Sequence, residues 1–185
     1  MNVSINKLLT GLLVSAGLVA GSAQAASQIT GAGATFPAPM YAKWAEAYKG
    51  QTGTSLNYQA IGSGGGVKQI VAKTVDFGAS DDPVSAADLE KNGLAQFPAI
   101  IGGVVTVINL QGIAPGQLKL NNDVLSDIFR AKITKWNDSA IASVNPGVKL
   151  PDTAITLVYR SDSSGTTAVF TDFLAQVSAP FKGVV

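Results

Sequence analysis

The chain has 185 residues, 46% of them hydrophobic and 14% charged, with no cysteine and no histidine. That balance excludes disorder and disulfide staples, and it removes thiol nucleophiles, a Ser-His-Asp triad and most metal sites. Setting Lys7 aside with the N-terminal segment leaves 12 basic against 12 acidic residues, so no global field recruits nucleic acid and any anion binding has to be local.

Lys7 precedes an apolar run from Leu8 to Ala20, and Ala23-Gln24-Ala25 supplies the small residues of a signal-peptidase site. Residues 1–25 are therefore expected to be a cleaved signal peptide and residues 26–185 a chain exported to a bacterial periplasm. The run is too short to span a bilayer comfortably, and there is no cysteine to carry a lipid.

Three strand-to-helix turns follow. The first is Gly31-Ala32-Gly33-Ala34-Thr35-Phe36-Pro37-Ala38-Pro39, after which Met40, Tyr41, Trp44, Ala45 and Tyr48 recur at helical spacing. Thr35 and the N–H of Phe36 would face whatever lies at that helix mouth, although Thr35 as a simple helix cap reads equally well. A dinucleotide fingerprint fails here, because its third glycine would fall on Phe36. In the second turn, Ser55 to Ile61 alternates like a strand and Gly62-Ser63-Gly64-Gly65-Gly66 leads into Val67-Lys68-Gln69. A phosphate-cradling P-loop needs Gly-Lys followed by Ser or Thr, so nucleotide hydrolysis is rejected. What remains is a glycine-rich turn expected to expose its backbone amides, with Ser63 as an added hydroxyl donor. The third turn, Val75 to Pro83, ends a short strand at Asp81 and Asp82. Adjacent acids cannot face one another across a sugar, which argues against glycosidase chemistry, and Asp82 reads as a turn residue before Pro83. Asp81 sits at the strand end, where open α/β sheets place their ligands.

Ser85 to Asp88 reads as a capped helix start. The apolar run from Phe97 to Asn109 predicts a strand buried on both faces that leaves one lobe and enters another. Asn122 to Phe129 predicts a capped amphipathic helix, and Trp136 a packing residue, since no second aromatic completes a stacking platform. Ile155 to Tyr159 predicts a strand that feeds Arg160-Ser161-Asp162-Ser163-Ser164-Gly165-Thr166, and a helix follows. That stretch reads either as an ordinary capped helix with a surface Arg–Asp pair or as a helix mouth that takes an anion beside a planar guanidinium.

The four motifs Gly31–Pro39, Ile61–Lys68, Val75–Asp81 and Arg160–Thr166, in this order and spacing, resemble those of the periplasmic phosphate-binding proteins of phosphate ABC transporters. The resemblance implies a type II periplasmic-binding-protein fold, α/β in class, with two lobes closing over a ligand cleft. Residues 26–106 would form the first part of lobe 1 and residues 107–185 part of lobe 2. It assigns phosphate contacts to Thr35, Phe36, Ser63, Asp81, Arg160, Ser164, Gly165 and Thr166, with Asp162 orienting Arg160 from behind. It implies inorganic phosphate as ligand, the membrane permease subunits as partners, a monomer, and neither a cofactor nor catalysis. Members of that family continue beyond Val185, so the sequence is expected to be a C-terminally truncated fragment. Two other readings share the helix-mouth donors: a phosphatase-like hydrolase, which the absence of histidine opposes, and a binder of some other oxyanion, which would not specifically need Asp81.

Overall fold

A computed structural model describes residues 27–184, and the expected signal peptide lies outside them. The first half is a three-stranded parallel sheet in the order β2-β1-β3, built from β1 (Gln28–Gly33), β2 (Ser55–Ala60) and β3 (Phe77–Ala79). Each crossover is a helix, α1 (Ala38–Thr52) and then α2 (Ser63–Val71), as parallel pairing requires. The register sets Gly33 opposite both Ala60 and Ala79, so all three strands finish at one edge of the sheet.

Helix α1 starts where sequence predicts, with Pro37 at its N-cap and Pro39 in its first turn, and stops at Gly53 in a left-handed conformation. The glycine-rich segment differs from expectation. Only Gly62, at φ 85, is a turn residue, and Gly64, Gly65 and Gly66 already belong to α2. The reason is close packing: a Cβ on Gly66 would come within 2.5 Å of the Gly33 Cα and 2.6 Å of the Ala32 carbonyl oxygen. Only glycine lets α2 lie this near the sheet. Tyr41 of α1 packs with Tyr58 and Phe77 of the sheet, the rings of Tyr41 and Tyr58 edge to face at 4.8 Å.

Ser85 caps α3 (Ala86–Asn92) as expected, its Oγ accepting from the Asp88 N–H at 3.1 Å. The second half contains α4 (Asn122–Phe129), α5 (Ser139–Ser143), α6 (Gly165–Val177) and α7 (Ala179–Lys182). Its core is Val124, Ile128, Ile133 and Ile141, with Trp136 packed against them, which is the packing role predicted for that residue. Helix α4 is capped by Asn121, whose Oδ1 accepts from the Val124 N–H at 2.9 Å. Helix α6 joins this body through the Phe129–Phe170 ring pair at 4.8 Å and a buried Ser126–Ser178 hydroxyl bond of 2.8 Å.

Two expected strands do not form. Phe97–Asn109 carries no strand and is exposed rather than buried, with Ile101 at 95% and Val107 at 86% of full exposure. Ile155–Tyr159 keeps a strand-like alternation, Ile155 and Leu157 turned onto the core and Val158 exposed, yet joins no sheet; its Ile155 N–H donates to the Thr134 carbonyl at 2.8 Å, beside an isolated antiparallel bridge between Lys135 and Ala154. A strand exists only when a neighbour takes up its backbone groups, and among the described residues no strand lies beside either run. No helix of the described residues is long and apolar enough to cross a membrane.

Candidate functional site

The edge where the strands finish carries three of the predicted segments, and the mouth of α6 meets it from the second half. The ladder extends one step past β1, with the Ala34 N–H donating to the Ala79 carbonyl at 2.9 Å. The N–H groups of Ile61 and Gly62 both donate to the Gly33 carbonyl, at 3.0 and 2.9 Å. Thr35, Ser63 and Asp81 thereby leave the sheet side by side. Gly33, at φ 143, could not carry a side chain there, since a Cβ would strike the backbone of Ala79.

Ser63 is 4% exposed, and its Oγ accepts from the Asp81 N–H at 3.2 Å. From the second half, the Thr166 hydroxyl donates to Asp81 Oδ2 at 2.9 Å. Asp81 Oδ1 is buried without a hydrogen-bond partner. Gly165 is also buried, and a Cβ on it would run into Ser63 Oγ and come within 2.9 Å of the Asp81 Cβ, so the α6 backbone lies directly over both residues. Ser164 is the N-cap, its Oγ accepting from the Thr167 N–H at 3.2 Å. The amides of the first turn are those a helix leaves unpaired, and the positive end of its dipole adds to them.

Arg160 reaches back to the first half, its Nη1 donating to Thr35 Oγ1 at 3.0 Å. Its Nε donates to Asp162 Oδ1 at 2.7 Å and its Nη2 to Asp162 Oδ2, so the carboxylate holds the guanidinium in two places. This bidentate bond raises the Arg160 pKa and, as the largest cause, holds the Asp162 carboxyl below its ordinary range against the upward push of desolvation. Both side chains are more than a third exposed, so the pair adds little to stability; its effect is to aim the remaining guanidinium edge.

The structure thus joins Ser63, Asp81, Gly165 and Thr166 in one contact group and Thr35, Arg160 and Asp162 in another beside it. Phe36 follows Thr35, half exposed, with its ring 3.0 Å from where a Cβ on Gly102 would stand. The expected row of free amides on the glycine-rich segment needs correction, because the Gly64 N–H donates to the Ser163 carbonyl at 3.1 Å. Sequence reasoning missed Tyr58, whose hydroxyl donates to the Ala34 carbonyl at 2.6 Å and steadies the backbone just before Thr35. A tyrosine alternating within a strand carries no signal of where its hydroxyl ends. Burial raises the Tyr58 pKa, with the charges of Tyr41 and Asp81 adding to it, so the hydroxyl stays a donor.

This arrangement sets the edge of an α/β sheet against a helix mouth, the place where open α/β folds take their ligands. The family model of the PBP superfamily domain matches residues 18–184, and the chain belongs to that superfamily. A crystal structure from Clostridium perfringens, described as a phosphate ABC transporter substrate-binding protein with bound phosphate, superposes with a TM-score of 0.61. At 22% identity, covering 80% of this chain and 56% of that one, the likeness is one of fold. Among curated relatives, the phosphate-binding protein PstS of Pasteurella multocida is 61% identical over 160 residues, 86% of this chain and 46% of its own length. PstS of Haemophilus influenzae is 54% identical, with 86% and 48% covered, and PstS of Methanocaldococcus jannaschii 41% identical, with 79% and 40% covered. The chain spans about half the length of the curated relatives it matches. The family and the α/β binding-protein fold expected from the four motifs are borne out.

Proposed function

We propose that this chain belongs to the substrate-binding component of a phosphate ABC transporter, holding inorganic phosphate between two lobes in the periplasm and delivering it to the membrane permease without catalysis. The observation that carries this reading is Asp81. A buried carboxylate oxygen without a partner, set among hydroxyl and amide donors, has one use in an anion site: it accepts a hydrogen bond that the ligand itself donates. Phosphate at neutral pH keeps a proton and can make that bond. Sulfate has none, and would set a like charge against Asp81 in a dewatered cleft.

Thr35, Ser63 and Ser164 supply hydroxyls, Phe36, Gly165 and Thr166 backbone amides, and Arg160 the one formal positive charge, oriented by Asp162. The names of the PstS relatives and the phosphate in the Clostridium perfringens structure support the choice of ligand. Isothermal titration calorimetry should record phosphate binding that excess sulfate does not displace, while a chromogenic phosphate ester remains unhydrolysed. Equal affinity for the two anions would overturn the role of Asp81, and ester turnover would overturn the non-catalytic reading.

A further inference from the structure

The two halves also touch at a point where none of the proposed ligand contacts lies. The Gly64 N–H, in the first turn of α2, donates to the Ser163 carbonyl at 3.1 Å. A Cβ built on Gly64 would run into the Ser163 hydroxyl and stand 2.5 Å from the Ser163 Cβ. Gly64 has no left-handed backbone, unlike Gly62 at φ 85, so its conformation would admit any residue; the neighbour across the cleft is what excludes one. Both residues adjoin the site, Gly64 next to Ser63 and Ser163 next to Ser164.

From this contact we infer that Gly64 and Ser163 form a steric pair that sets how closely the second half seats over the anion, with room for one side chain between the two positions. The inference rests on the phosphate-binding reading for its functional consequence, though not for its geometry. A side chain on 64 has to push Ser163 away, which breaks the Gly64–Ser163 hydrogen bond and draws Gly165 and Thr166 back from Ser63 and Asp81. Serine suits the first turn of a helix, so helix propensity does not account for such a loss.

The test is a double-mutant cycle of Gly64→Ser, Ser163→Gly and the two combined, followed by phosphate calorimetry and by thermal midpoint without ligand. Gly64→Ser should weaken phosphate binding about tenfold or more and lower the midpoint, as an overpacked contact does. Ser163→Gly should cost less. The combined variant, with one side chain again in the shared space, should recover most of both losses. Losses that simply add in both measurements would overturn the pair. If Gly64→Ser alone fails to fold, recovery of folding in the combined variant supports the inference and continued failure refutes it. A parent chain that binds no phosphate would count against the proposed function, and the midpoint cycle would still decide the pair.

Discussion

Thr166 and Asp81 stand 85 residues apart in sequence and are joined by a 2.9 Å hydrogen bond from the threonine hydroxyl to Oδ2. With that oxygen satisfied from the second half, and the Asp81 N–H held by Ser63, the other carboxylate oxygen is fixed in place and unpartnered. The two halves therefore cooperate in orienting one acceptor.

Replacing Asp81 with Asn turns half of that acceptor into a donor. Phosphate binding should weaken, and preference for phosphate over sulfate should narrow by about tenfold or more, since the variant no longer sets a like charge against an unprotonated anion. Competition calorimetry reads the ratio; undiminished discrimination would show that selectivity lies elsewhere.

Arg160→Lys keeps the charge and loses the fork. A single ammonium cannot bond Asp162 in two places while reaching Thr35, so affinity should fall about 10- to 100-fold, whereas Asp162→Asn, which only loosens the guanidinium, should cost less. A larger loss for Asp162→Asn would reverse the assignment of the two roles.

Asp76 makes a prediction about acid. Its carboxylate accepts from the Thr30 N–H at 2.7 Å and the Thr30 hydroxyl at 2.9 Å, and these bonds hold its pKa below the ordinary value. A carboxyl depressed on folding contributes stability that is present above its unfolded pKa and is lost as pH falls through the folded one. Asp76→Asn should therefore lower the thermal midpoint at pH 7, with the gap to the parent chain closing below the ordinary carboxylate pKa. A gap that stayed constant into acid would disprove the linkage.

Asn145 is 4% exposed and holds the second half together through its amide. Its Nδ2 donates to the carbonyls of Lys119 and Ile141 at 2.8 and 2.9 Å, and its Oδ1 accepts from the Lys119 N–H at 2.7 Å. Asn145→Ala strands those backbone groups and should cost ~2–4 kcal/mol in urea unfolding. A cost below ~1 kcal/mol would mean that water replaces the amide.

Much of this was legible in sequence because it is local. Proline in the first turn of α1, Ser85 at the start of α3, and the strand-to-helix turns at Thr35, Ser63 and Asp81 all depend on residues within a few positions of one another. The turns that carry the proposed donors were therefore readable from sequence. The glycine-rich segment was misread because a run of glycines signals a turn and close packing alike, and only the sheet beneath Gly66 and the chain beside Gly64 separate the two.

Sequence by itself determined the chemistry available: hydroxyls, amides, one arginine and one strand-end carboxylate, carried on local turns whose conformations neighbouring residues dictate. Tertiary structure alone decided how they meet. The Arg160–Thr35 and Thr166–Asp81 bonds close over 125 and 85 residues, distances at which no local pattern specifies a partner. It also decided the fate of 97–109 and 155–159, since alternation and apolarity make a segment competent to be a strand, while hydrogen-bonding neighbours make it one.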